Sequence, residues 1–272
     1  MKYGLLLGLL LLFLGCGTSF QERVHRHLKP IALSTQESGI RGVDAIYCIN
    51  LDMRTDKWTA VAQEMAHQEL NVNRVSAVNG WKDLTKRDCC RLLRVEKALK
   101  PGQIGCFLSH LSVLKNAQEK GFERILVLED DVRFIASMKE LSSYLDQLTA
   151  LDPEWDLLYL DNWSLENRGL KDRFDRPHSK MSDVIKQPKE ELSHFFHVFY
   201  RHDLHALVIS KKGIDKLLNH FCQKPFFLAI DTEMNHIDQI RMYETKQPFV
   251  TTSYAVSDTW NKPEVSKPLI NQ

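Results

Sequence analysis

At 272 residues, 43% hydrophobic and 26% charged, the chain is long enough for one α/β domain and too apolar to stay disordered. A formal net charge of +1 supplies no broad field for nucleic acid, so no nucleic-acid partner is expected. Six cysteines without a CxxC pair give no zinc signature.

The first stretch, MKYGLLLGLLLLFLGCG, has one lysine, an apolar run from Leu5 to Leu14 and small residues around Cys16. The run is shorter than the roughly 20 residues a membrane-spanning helix needs, and its layout is that of a secretory signal. Phe13-Leu14-Gly15-Cys16 resembles a bacterial lipobox, with Cys16 as the residue that would be lipidated. Residues 1–16 are therefore expected to be a signal-peptide or lipoprotein-like segment, 17–42 a polar linker, and 43–272 the folded domain.

From Val43 the pattern sharpens. VDAIYCINL (43–51) is β-branched and aromatic and predicts a strand. Trp58, Val61, Ala62, Met65, Ala66 and Leu70 then recur at helical spacing, and NRVSAV (73–78) predicts a second strand. Strand, helix, strand at this spacing predicts a βαβ unit and a parallel sheet. Residues 102–121 carry a helical stripe from Ile104 to Ala117, closed by Gly121. ILVL (125–128) predicts a strand, Ser137 and Glu140 have capping-box spacing for a further helix, and WDLLYLDN (155–162) predicts another strand. Residues 163–192 show no clean period, and so long a stretch without structure is expected to be functional or mobile. HALVIS (205–210), KKGIDKLLNHF and QIRMYET (239–245) read as strand, helix and strand.

The chemistry concentrates at Glu129-Asp130-Asp131, directly behind the apolar strand. In open α/β sheets ligands sit beyond the carboxyl ends of the strands, so these acids are placed to face a cleft. Three adjacent like charges need a cation or hydrogen-bond donors, and hard divalent ions such as Mg²⁺ or Mn²⁺ take carboxylate oxygens. In an extended segment Glu129 and Asp131 share one side and Asp130 faces the other. Acids opening a helix are the plain alternative. His194, His197, His202, His205 and His220 are irregularly spaced and suggest no zinc set.

INLDMRTDK (49–57), GQIGCFLSH (102–110) and LVLEDDV (126–132), in this order, resemble glycosyltransferase family 25, which includes bacterial lipooligosaccharide and collagen galactosyltransferases. HALVISKKGIDKLL (205–218) continues the likeness, and Met53 and Lys57 stand where that family often has arginine. The resemblance implies a GT-A-type, Rossmann-like nucleotide-sugar-binding α/β fold with a mostly parallel central sheet. It implies transfer of a hexose, galactose first, from a UDP-sugar to a hydroxyl of a glycan or lipooligosaccharide-type acceptor, with Mn²⁺ or Mg²⁺ and inversion at the anomeric carbon. Asp131 would hold the metal. Asn50, Arg54, Ser109, His110, Glu129 and Asp130 would bind the donor. Asp231 is the first candidate for the base and Asp161 the second. Two other readings stay open: an inactive carbohydrate-binding protein of the same fold, and a nucleotide-sugar hydrolase. The N-terminal segment adds an expectation of membrane association, on the cytoplasmic face in a bacterium, where nucleotide sugars are.

Overall fold

The computed structural model describes residues 18–33, 37–161, 194–198, 200–252 and 258–259. The N-terminal apolar segment, the stretch 163–192 and most of the C-terminal tail lie outside the described residues. No described helix is long and apolar enough to cross a membrane.

Seven strands form the central sheet: β1 (Ala45–Asn50), β2 (Val72–Ser76), β3 (Arg124–Glu129), β5 (Leu157–Tyr159), β6 (Phe195–Val198), β7 (Ala206–Ser210) and β8 (Met242–Thr245), in the spatial order β2-β1-β3-β7-β5-β8-β6. β1 pairs parallel with both β2 and β3, and β5 pairs parallel with β8. β7 runs antiparallel to β3 and β5, and β6 antiparallel to β8. Five of the seven strands therefore point one way, so the sheet is mixed but mostly parallel. A second, two-stranded sheet joins β4 (Val132–Phe134) to β9 (Val250–Thr252).

All six residues of β1 are buried, as expected for a central strand covered on both faces. Ala45, Tyr47 and Ile49 pack into one core with Ile125 and Val127; Ile46 and Cys48 pack into the other with Leu126 and Leu128. The first core is closed by α5 (Pro101–Lys120) and α7 (Lys211–Phe221). The second is closed by α2 (Thr55–His67) and α6 (Leu141–Leu151). α5 ends on Gly121 at φ 68°, the left-handed conformation a helix C-terminus favours in glycine.

Three details depart from the sequence reading. Residues 18–33 do not behave as a free linker: α1 (Phe20–His25), fixed by a Ser19–Glu22 capping box, buries Phe20 and Val24 in the first core. The Phe20 ring meets Phe226 edge-on at 5.6 Å. Ser137 makes no side-chain cap; a short 3₁₀ turn at Met138–Glu140 leads into α6 instead. Two short helices between β2 and α5, namely α3 (Gly80–Asp83) and α4 (Lys86–Leu92), have too few residues to show a period.

Candidate active site

β1, β2 and β3 end on one side of the sheet, and a cleft with a volume of about 100 Å³ opens there. Its floor and walls include Ile49 at the end of β1 and Leu51 after it, Val78 to Trp81 after β2, Cys106, Ser109 and His110 from α5, and Glu129-Asp130-Asp131. Lys57 from α2 and a turn at Asp258-Thr259 complete it.

Asp130 and Asp131 occupy the turn between β3 and β4. Glu129 and Asp131 face one side, toward His205, and Asp130 faces the other. Glu129 lies 3.6 Å from His110 Nε2 and 3.5 Å from His205 Nδ1. Asp131 Oδ1 lies 3.4 Å from His205 Nδ1. Burial works to raise the Glu129 carboxyl, but His110 and His205 outweigh it and hold it well below the usual carboxylate range. Burial disfavours the His205 cation, yet Asp131 and Glu129 hold its pKa up to about 11.

Asp130 is set by different partners. Asn50, at the end of β1 and almost fully buried, donates to its Oδ2 at 2.7 Å, while Lys57 Nζ lies 3.3 Å from Oδ1. Burial pushes the Asp130 carboxyl up to about 6 against the pull of Lys57 and Asn50. Asn50 accepts from Arg74 (Nε 3.0 Å, Nη2 2.6 Å), so its amide is oriented by Arg74 and holds Asp130 in turn.

Ser109 spans a joint. Its hydroxyl donates to Gly105 O at 2.7 Å and accepts from Val78 N–H at 2.8 Å, tying α5 to the loop after β2. These bonds make it a staple of the cleft wall, with its hydroxyl proton given to Gly105 O. Arg54 precedes α2 and pairs with Asp56 at 3.0 Å and Asp258 at 2.5 Å.

The two proposed bases are not among the residues lining the cleft. Asp161 is buried against Arg201 at 2.6 Å, and Arg201 also pairs with Glu244, so Asp161 belongs to a buried ionic group under the sheet end. Asp231 lies in α8 (Ile230–Met234). It accepts from the backbone N–H of Asp203 (3.1 Å) and Thr232 (2.8 Å) and lies 3.6 Å from His202 Nδ1. Burial raises its carboxyl, but these donors prevail and keep it below the ordinary aspartate range.

Among the described residues, two groups have ligand atoms within 4.8 Å of one another: Glu129, Asp131 and His205, and Cys106, His110 and Glu129. In the first, Asp131 Oδ1 and His205 Nδ1 make no hydrogen bond and face each other at 3.4 Å, so an ion that binds there takes the place of the His205 proton between the carboxylates. In the second, burial holds the Cys106 thiol well above its usual pKa, which makes it a poor ligand. The first donor set, two carboxylates and an imidazole, suits a divalent ion such as Mn²⁺.

Sequence reasoning missed His205, Lys57, Trp81 and Asp258. The signal for His205 was its place just before a strand. Antiparallel pairing of that strand, β7, with β3 sets Leu128 opposite Ala206 and brings Glu129 N–H to His205 O at 2.9 Å. A purely parallel sheet gives no such neighbour.

The profile of glycosyltransferase family 25 (LPS biosynthesis protein) matches residues 43–234, most of the chain. The chain belongs to glycosyltransferase family 25. Among relatives of this family, human procollagen galactosyltransferase 2 is 34% identical over 131 residues, 44% of this chain and 21% of that protein. Human inactive glycosyltransferase 25 family member 3 is 31% identical over the same length, 44% of this chain and 22% of that protein. Zebrafish (Danio rerio) procollagen galactosyltransferase 1 is 26% identical over 198 residues, 69% of this chain and 30% of that protein. The chain thus spans only about a fifth to three-tenths of the length of these family 25 relatives.

Proposed function

We propose that this family 25 chain is a metal-dependent hexosyltransferase. It moves a hexose, galactose first, from a UDP-sugar to a hydroxyl of a glycan or lipooligosaccharide-type acceptor, with inversion. The observation that carries the reading is the cleft itself. It opens at the carboxyl ends of β1, β2 and β3 and brings Glu129, Asp130, Asp131 and His110 to one wall.

In this reading Glu129, Asp131 and His205 hold the ion, and Asp131 is the ligand on which the site depends. A bound divalent ion there would offset negative charge on the departing diphosphate. Asn50, oriented by Arg74, and Lys57 hold the two oxygens of Asp130 at the cleft, where they can also accept from sugar or ribose hydroxyls. His110 borders the same wall and helps keep Glu129 ionised. Ser109 fixes the wall's position. The acceptor oxygen attacks the anomeric carbon, its proton goes to a base, and UDP leaves with the electron pair of the broken bond. Asp231 suits the base better than Asp161, because Asp231 is held ionised beside His202 while Asp161 is committed to Arg201.

The test is transfer itself. With UDP-galactose and a glycan acceptor, wild type yields sugar-extended acceptor by mass spectrometry. Asp131→Ala loses at least 100-fold in rate, an order of magnitude drawn from losing one catalytic electrostatic partner, with an unchanged circular dichroism spectrum. Full activity in that variant removes the metal assignment. A second reading has its own support: human family member 3, 31% identical here, is named inactive. Wild type that binds UDP yet releases none from any UDP-sugar would favour a binding protein. Cleaved donor without extended acceptor would favour a hydrolase.

A further inference from the structure

The cleft wall that faces Trp81 and Gly102 holds an ion cluster with a mismatched member. Arg54 Nη1 lies 2.7 Å and 2.5 Å from the two oxygens of Asp258. Lys57 Nζ lies 3.2 Å from Asp258 Oδ2 and 3.3 Å from Asp130 Oδ1. The side chains of Arg54, Lys57 and Asp258 are 15%, 10% and 14% exposed, so this is a largely desolvated site. Its cations come from the start of α2, its anion from far along the chain.

The turn bearing Asp258 rests directly on α5. A Cβ at Gly102 would come within 2.5 Å of Thr259 O and 3.0 Å of Asp258 O, so only glycine admits this approach. Asp258 and Thr259 line the cleft together with Lys57 and Asp130. A carboxylate thus sits where a guanidinium and an ammonium converge at the cleft. Carboxylate and phosphate oxygens take the same donors, so the Arg54 Nη1 and Lys57 Nζ that meet Asp258 can donate to either, while the Nε and Nη2 edge of Arg54 stays on Asp56.

We propose that Arg54 and Lys57 form the diphosphate-binding pair of the cleft, and that Asp258 holds their place until a nucleoside diphosphate displaces it. This rests on the donor reading above and names the residues that grip the phosphates. A diphosphate brings more negative charge to the two cations than one carboxylate does, so the exchange is favourable where water is scarce. Lys57 keeps its contact with Asp130 throughout, which ties the phosphate site to the acidic wall.

The test titrates UDP with Mn²⁺, and separately inorganic pyrophosphate, into the full chain by calorimetry. Wild type, Asp258→Asn, Lys57→Met and Asp56→Asn are compared. Asp56 is the control for a simple charge effect, because it also pairs with Arg54 at 3.0 Å but is 41% exposed. Removing the internal competitor is expected to tighten both probes about tenfold in Asp258→Asn, the scale of one desolvated charge contact. Lys57→Met weakens both by a similar factor, and Asp56→Asn changes binding less than about twofold. Hydrogen exchange at residues 258–259 of wild type becomes faster when UDP is added. Equal or weaker binding by Asp258→Asn, or slower exchange at 258–259 with UDP, overturns the exchange. If pyrophosphate tightens in Asp258→Asn while UDP binds no variant, the anion pair stands and the donor reading falls.

Discussion

Asp130 is the carboxylate at which burial and function pull hardest against each other. It is held up to about 6 by burial, although Lys57 and Asn50 favour its charged form. The unfolded chain ionises it near the ordinary aspartate value of about 4. Between these two values the folded chain keeps a proton the unfolded chain has lost, so this group's contribution to stability falls as pH rises through that window. The penalty reaches about 3 kcal/mol at neutral pH, from about 6 in the folded chain against about 4 in the unfolded one at about 1.4 kcal/mol per pH unit. Asp130→Asn removes the charge and still accepts from Asn50. It should therefore be more stable than wild type by about that amount at pH 7.5 and equal to it at pH 4, read from urea midpoints. Loss of stability at pH 7.5 would mean that the Lys57 ion pair outweighs the burial cost.

At the scale of elements, the cleft depends on close backbone approach. Gly80 and Gly105 bring α3 against α5: a Cβ at Gly105 would meet Val78 O at 2.4 Å and Gly80 N at 2.6 Å. The helix gives up intrinsic propensity at Gly105 to gain this contact, the reverse of what a propensity scale rewards. Gly105→Ala should lower stability by about 3 kcal/mol through overpacking, with the loss visible as a lower thermal midpoint. The N-terminal helix is part of the same structure. Phe20 is 9% exposed and rests on Phe226, so Phe20→Ala should cost about 3 kcal/mol in a chemical denaturation series. A cost near zero would mean that α1 is a detachable appendage.

Elements with many periodic residues were legible from sequence. The α5 stripe from Ile104 to Ala117 and the β-branched run of β1 appear where the spacing places them. α1 was lost in a polar stretch because Phe20 and Val24 are its sole buried residues. β6, β4 and β9 have four, three and three residues, too few to show alternation. Reversal of β7 was invisible because strand direction depends on which neighbour it meets, and nothing local to HALVIS encodes that.

At the scale of the molecule, the fold gathers residues far apart in sequence at the carboxyl ends of β1, β2 and β3. The acidic triplet was legible from its place behind a patterned strand, whereas His110 and Asn50 were legible only through the likeness of their motifs to the family. Lys57, His205 and Asp258 were not. Their partners lie 73, 76 and 204 positions away in sequence for Lys57–Asp130, His205–Glu129 and Arg54–Asp258, and such pairs exist only once the sheet is assembled. Asp161 looked equivalent to Asp131 as an acid at a strand end; the difference is Arg201, which reaches Asp161 from beyond β6 and neutralises it.

The central claim is that the Glu129–Asp131–His205 corner holds a cation that in turn holds a nucleoside diphosphate. Thermal unfolding of wild type and Asp131→Asn, each with UDP plus Mn²⁺ and with UDP plus EDTA, tests it most directly. UDP at about 100 times its Kd should stabilise the wild-type chain by about 2.7 kcal/mol, or a few degrees, when Mn²⁺ is present. That gain should shrink sharply with EDTA, and Asp131→Asn should show only this smaller, metal-independent gain under either condition. Equal protection by UDP with Mn²⁺ and with EDTA, or full protection of Asp131→Asn, would contradict the account.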